Sequence, residues 1–286
     1  MLVAMFRLLA RLPLSWLHGA GAALGRLVYW SSSKYAARLR ENLYASGLCD
    51  GEAQRVALLR AAVAEAGKGV TELIAVWFSA EDQVARLVVE RDGWSIAEAA
   101  RARGKGVIFL TPHLGCFEMA AFGIAQHMPL TSLYRPPKRG WIEPLMLTGR
   151  NRGQAKVAPA NLTGVRRLYK ALFRGEAVGL LPDQAPGVGE GVWADFFGRS
   201  AYTMTLVTRL QRATGAAVVM VVAERLSQGR GYRLRFGELS TSRLDEAALN
   251  RAVEAEVRRC PEQYLWSYNR YKVPAGAPSP RQKAEG

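Results

Sequence analysis

The chain is poor in the residues that build metal, redox and disulfide sites. Its 286 residues hold three cysteines and three histidines. Cys49, Cys116 and Cys260 are widely spaced and odd in number, which excludes a disulfide framework and a zinc-type cluster. No P-loop, internal repeat or metal-ligand spacing occurs. Long apolar runs are scarce as well. Leu12 to Gly25 is about 14 residues, short of the roughly 20 that cross a bilayer as a helix. No clean small-residue cleavage site follows, so a signal peptide is not expected. Acid is the scarcer charge, 24 against 39 Lys and Arg, for a net +15. That excess implies an anionic partner: nucleic acid, an anionic membrane or a phosphorylated substrate. With 49% hydrophobic and 22% charged residues, the chain has the composition of a folded protein.

What is present centres on Thr111-Pro112-His113-Leu114-Gly115-Cys116-Phe117-Glu118. Gly106–Leu110 reads as a short buried strand and Phe117 to about His127 as a helix. His113 therefore falls in a strand-to-helix turn, where α/β proteins place chemistry. Pro112 restricts Thr111 to extended geometry and ends the strand. On one continuous helix His113 and Glu118 would lie about 140° apart. With His113 in the turn they can meet. Glu118 would then accept from one imidazole nitrogen and leave the other as a general base for a substrate hydroxyl. The helix N-terminus would offer N–H groups to an oxyanion. The same pair also fits a purely structural turn, and spacing alone does not separate the two. Cys116 reads as a small buried residue rather than a nucleophile.

Residues 2–30 are apolar, interrupted by Arg7, Arg11 and Arg26. They suit a helix lying in a membrane interface, with Trp16, Tyr29 and Trp30 at headgroup level, or else a core helix. His18 reads as incidental. Helices are expected after Ser31-Ser32-Ser33 and over Glu52–Ala66, with a break at Gly67–Gly69 before Val70–Phe78. Ser95 to Glu98 reads as a capping box. Further strands are expected at Leu87–Glu90, Leu130–Arg135, Ala177–Pro182, Ala216–Ala223 and Tyr232–Phe236. Helices are expected at Trp141–Thr148, Gly164–Phe173, Thr203–Thr214 and Leu244–Arg259. Arg135, Lys138, Arg139, Arg150, Arg152 and Lys156 form a dense cation cluster beside turns, suited to phosphate or carboxylate. Asp183-Gln184 stand at the carboxyl end of a strand, where Asp183 could bind, orient an arginine or cap a turn.

Several segments together resemble one family, the lipid A biosynthesis acyltransferases of the lauroyl/myristoyl type, relatives of the glycerolipid acyltransferases. They are Thr111–Glu118, Tyr134–Lys138, Leu181–Gln184, Phe196–Gly198 with Ala201–Thr203, and Gln263–Lys272. Asp195 departs from an expected proline, in what reads as a loop. The resemblance implies a mixed α/β fold with a mostly parallel central sheet flanked by helices, preceded by an apolar membrane-associating helix. It implies residues 1–30 as that helix and 31–272 as one acyltransferase domain, while the Pro, Gly and Ala of 273–286 read as a disordered tail. It implies acyl transfer from an acyl carrier protein thioester to a hydroxyl of a phosphorylated, glucosamine-based lipid. His113 would be the base, Glu118 its support, and Arg135, Arg150 and Asp183 substrate contacts. No metal or cofactor is implied. The place implied is the inner membrane, with the site facing the cytoplasm. Other readings are an acyltransferase for a phosphatidylinositol mannoside, ornithine lipid or lysophospholipid, a thioester hydrolase, or a basic binding protein. No nucleic-acid motif supports the last as a nucleic-acid binder.

Overall fold

The computed structural model describes residues 2–277 apart from Lys138, Thr241 and Arg243. The chain begins with α1 (Leu2–Leu9), α2 (Leu14–Ser31), α3 (Ser33–Tyr44), α4 (Glu52–Phe78) and α5 (Glu81–Arg86). Alternation follows: β1 (Val88–Asp92), α6 (Trp94–Ala102), β2 (Val107–Leu110), α7 (Phe117–Ala125), β3 (Leu130–Tyr134), α8 (Glu143–Arg150), β4 (Ala155–Pro159), α9 (Leu162–Phe173) and β5 (Ala177–Leu180). A hairpin of β6 (Gly191–Phe196) and β7 (Arg199–Met204) leads to α10 (Leu206–Thr214), β8 (Ala217–Arg225), β9 (Tyr232–Leu239) and α11 (Glu246–Arg259).

Seven strands form one sheet in the order β1-β9-β8-β2-β5-β3-β4. Every pairing is parallel except β8 with β9. The fold is thus mixed α/β with a mostly parallel sheet. β2 and β5 are continuous apolar runs because both their faces are covered. Alternation along β2 sends Ile108 and Leu110 into one core and Val107 and Phe109 into the other. Each such side chain contributes about 1.5–3 kcal/mol on burial.

The chain leaves β2 into α7 on one face of the sheet. It leaves β5 toward the β6–β7 hairpin and α10 on the other face. β2 and β5 are neighbours in register, Leu110 opposite Leu180. The crevice at their carboxyl ends is a topological switch point, where open α/β sheets bind ligands.

The expected single N-terminal helix is two helices. Pro13 separates them, sitting just before α2, where a missing N–H costs nothing. No helix among the described residues is long and apolar enough to cross a membrane. α2 buries Leu14, Leu17, His18, Gly21, Ala22 and Gly25, a stripe of helical period. The other face exposes Trp16, Leu24, Leu27 and Trp30, and α1 exposes Met5 and Leu8.

The stripe on α2 explains why α4 runs unbroken through Gly67–Gly69, against the expected interruption. A Cβ on Gly67 would lie 1.9 Å from the Gly21 carbonyl oxygen, and one on Gly25 2.3 Å from that of Val63. Helical glycine is locally unfavourable, but here it lets two backbones touch. The Thr71 hydroxyl donates to the Leu17 carbonyl at 2.7 Å across the same contact. Gly67→Ala should force the helices apart, at about 2–3 kcal/mol and roughly 5–10 °C in melting temperature. An unchanged thermal midpoint would contradict this packing.

Three smaller expectations are corrected. Ser95 does not cap α6, whose N-cap is left-handed Gly93. Asp195 lies inside β6, opposite Ser200, not in a loop. β4 has no counterpart among the expected strands. Phe197-Gly198 is the two-residue turn of the hairpin, with both residues at positive φ. Phe197 is an unusual residue for that position. It is held there by Glu254, which accepts from its N–H at 2.7 Å, and by Trp266 and the Arg258 guanidinium against its ring. Of the expected tail, residues 278–286 lie outside the described residues, as does Lys138 of the cation cluster.

Candidate active site

His113 stands three residues beyond Leu110 of β2, and Asp183 three beyond Leu180 of β5. The register of the two strands therefore brings them together. Asp183 accepts from His113 twice, from Nδ1–H at 2.8 Å and from the backbone N–H at 2.9 Å. With Nδ1 as donor, Nε2 carries the lone pair, and the Gln184 amide donates to it at 3.0 Å. Asp183 is buried. Burial alone would raise its carboxyl, but the neighbouring His113 and its hydrogen bonds hold it below the usual value.

This corrects the expected partnership of His113 with Glu118. Glu118 Oε1 pairs with Arg150, whose Nε donates at 2.8 Å, while Oε2 accepts from Trp77 Nε1 at 3.2 Å. Glu118 is turned aside because α8 and α4 offer it a cation and an indole N–H. The Arg150 guanidinium also lies 6.0 Å from the Trp77 ring centroid. Four of the five expected site residues thus form two pairs, His113–Asp183 and Arg150–Glu118. Arg135 is exposed on the loop after β3 and lines neither of the cavities described next.

Two cavities share a wall made of Phe117 and Glu118. One is a largely apolar cleft enclosing about 760 Å³ when its open mouth is included. Phe109, Phe122, Ile124, Leu130 and Leu133 line it, with Arg150, Arg152 and Lys156. Arg152 is committed elsewhere, donating to the Val76 and Ser79 carbonyls at the end of α4. Thr111 also lines the cleft, and its buried hydroxyl has no hydrogen-bond partner among the described residues. The second cavity is the more polar of the two, and His113, Glu65, Glu72, Arg225 and Gln263 are among its lining residues.

The turn after His113 is set by its surroundings. Gly115 has φ +62°, and a Cβ there would meet the Ala223 carbonyl oxygen at 2.1 Å, so only glycine fits. Leu114, Gly115 and Cys116 all spend their N–H groups, on Pro112, Gln263 and Ala223 carbonyls. The next two N–H groups, of Phe117 and Glu118 in the first turn of α7, have no acceptor among the described residues.

Cys116 is buried, and burial together with the Glu72 carboxylate pushes its thiol well up. A thiol held protonated is a poor nucleophile. Cys116→Ala should keep catalytic activity within about twofold of wild type; a loss to background would make the thiol a participant.

His18, read as incidental, is buried with Nε2 3.5 Å from Glu72. Burial would raise the Glu72 carboxyl. The Arg225 charge and hydrogen bonds, with the His18 imidazole 3.5 Å away, overcome that and hold it at about 2, from 4.5. A folded value below the unfolded one gives stability that is complete above about 4.5 and lost as pH falls toward about 2. Thermal midpoints should fall across that window, and less steeply in Glu72→Gln. Equal acid slopes in both proteins would remove Glu72 from the account.

Sequence reasoning missed Trp77, Glu72 and Arg225. Their contacts join residues tens of positions apart, and no local pattern marks them. Gln184 stood in view beside Asp183, but its role depends on the imidazole it faces.

A carboxylate-held imidazole at the switch point of an α/β sheet, with no Ser, Thr or Cys bonded to it among the described residues, can take a proton from a bound hydroxyl. The model of the bacterial lipid A biosynthesis acyltransferase family matches residues 1–273. The chain belongs to that family and is an acyltransferase. It is 27% identical over 280 residues to the lipid A biosynthesis lauroyltransferase of Escherichia coli (strain K12), covering 95% of this chain and 90% of that one. It is 31% identical over 221 residues to the lipid A biosynthesis palmitoleoyltransferase of the same organism, covering 74% and 71%.

Proposed function

We propose that this protein moves a fatty acyl chain from an acyl carrier protein thioester to a hydroxyl of a lipid A precursor. One observation carries the mechanism: Asp183 fixes the His113 proton on Nδ1 and leaves Nε2 as the base. The acceptor hydroxyl displaces the Gln184 amide and gives its proton to Nε2. Its oxygen attacks the thioester carbonyl carbon and forms a tetrahedral oxyanion. Collapse breaks the C–S bond, and the imidazolium returns the proton to the leaving thiolate. Donors for the oxyanion are the Phe117 and Glu118 N–H groups and the Thr111 hydroxyl, each typically worth about 3 kcal/mol. The support expected from Glu118 passes to Asp183. Glu118 instead holds Arg150, whose side chain is a quarter exposed and suits a substrate phosphate.

The apolar cleft suits the acyl chain. The exposed apolar faces of α1 and α2, with Arg7, Arg11 and Arg26, suit a helix pair lying in the headgroup region of a membrane. Residues 1–30 are then the attachment to the cytoplasmic face of the inner membrane. Residues 31–272 are the catalytic domain. The net charge of +15 favours an acidic carrier protein and a phosphorylated acceptor. No metal or cofactor takes part in these steps.

The test is an acyl-transfer assay on purified protein in detergent. It supplies a panel of acyl carrier protein thioesters, with a lipid A precursor and a lysophospholipid as competing acceptors, and reads products by mass. A mass gain on the lipid A precursor supports the reading. Acylation of the lysophospholipid alone keeps the reaction and replaces the acceptor. Transfer to neither overturns it.

A further inference from the structure

Under the His113 turn lies a buried ion pair that the chemistry above does not use. Arg225, near the end of β8, donates from Nε and Nη2 to the two oxygens of Glu72 in α4, each at 2.7 Å. Tyr232 of β9 donates its hydroxyl to Glu72 Oε2 at 2.9 Å. All three side chains are buried. A buried pair of this kind is poor evidence of a stabilising role, since desolvation consumes most of the attraction and apolar residues of equal volume often serve as well. What an apolar replacement could not supply is the second bond from Nη2. It runs to the Gly115 carbonyl at 2.7 Å, two residues from the base.

The same arginine is clamped through its backbone. The Gln263 amide accepts from the Arg225 N–H at 2.8 Å and donates to the Arg225 carbonyl at 3.0 Å. The Gln263 carbonyl in turn accepts from the Gly115 N–H, and the His113 carbonyl accepts from the Leu265 N–H. Both polar groups of Gly115 are thus held by partners fixed to β8, at the residue whose left-handed conformation turns the chain from His113 into α7.

We propose that Arg225 is a positioning residue for His113, with Glu72 holding the guanidinium in the plane from which it grips the Gly115 carbonyl. The proposal rests on the reading of His113 as the base. Lysine cannot substitute, because one ammonium lacks the fork that reaches both Glu72 oxygens and the carbonyl together.

The experiment uses the full chain in detergent with Arg225→Lys, which retains the charge. Expected are a kcat lower by about 10–100-fold and a KM within about twofold, since a displacement of the base acts on the chemical step. In a His113→Ala background the loss from Arg225→Lys should shrink to what displacement of the Phe117 and Glu118 N–H groups alone causes, because the imidazole it positions is gone. With three histidines in the chain, imidazole nitrogen NMR on histidine-labelled protein follows His113 directly. The fixed Nδ1–H tautomer should give way to a mixture in Arg225→Lys. An unaltered kcat, an equal loss in both backgrounds or an unaltered His113 tautomer each overturns the proposal. Glu72→Gln, which keeps one acceptor and loses the fork, should give the same pattern at smaller size, and it decides the matter if Arg225→Lys does not fold. Should His113→Ala retain wild-type activity, the reading of the base fails, while the NMR comparison still decides whether Arg225 positions the ring.

Discussion

Replacing His113 by alanine should lower acyl transfer by about 10²–10⁴-fold, the usual contribution of a general base. The loss should fall on kcat, because among the described residues no other base is hydrogen-bonded to Asp183 or Gln184. The fold should survive. The imidazole sits in a turn, and the backbone bonds of that turn use the Gly115 and Cys116 amides, not the side chain. A modest stability cost is expected nonetheless. Asp183 would keep the backbone N–H of residue 113 and lose the Nδ1–H. A buried carboxylate stripped of one donor costs about 1–3 kcal/mol. Initial rates with the lipid A precursor, read beside a thermal melt, separate the two effects. Wild-type turnover in the variant would end the mechanism.

Asp183→Asn should come close to that loss, about 10³–10⁴-fold, although the change is nearly isosteric. The carboxylate accepts from both the backbone N–H and Nδ1–H. An amide can satisfy only one of these with its oxygen and would present N–H₂ to the other. If the amide nitrogen faces Nδ1, the ring proton moves to Nε2, and the atom that should accept the substrate proton no longer can. A related substitution in a Ser-His-Asp triad shows this size of effect for this reason. Crystallography of the variant should show the ring in place, and imidazole nitrogen NMR the proton on Nε2. Turnover near wild type in Asp183→Asn would return the orienting role to another group.

Both members of the pair were legible as candidates in the sequence, but their partnership was not. Buried runs marked β2 and β5, and the residues just past their carboxyl ends followed. What the sequence could not show is that β5 inserts between β2 and β3, placing Asp183 beside a residue 70 positions earlier. Glu118, close in sequence, drew the assignment because local spacing was the only geometry available. Gly67–Gly69 misled for a related reason. Helical glycine weakens a helix taken alone, and only the approach of α2 turns it into a packing requirement. β4 was lost because Ala155-Lys156-Val157-Ala158-Pro159 is a short edge strand with little apolar pattern. Phe197 shows the reverse case, a residue that violates turn preference and is held by contacts from α11 and the C-terminal segment.

The strand order also governs when the enzyme comes into being. β2 sits in the middle of the sheet, yet both its neighbours, β5 and β8, are synthesised well after it. While the chain emerges, the histidine turn exists as sequence long before it has a carboxylate to fix its proton or a β8 to grip its glycine. Such non-local pairing is slow relative to local helix formation. On the proposed mechanism reactivity is therefore a late property of this chain: a fragment ending before residue 177 would carry the whole histidine motif without the strand and carboxylate that complete the site.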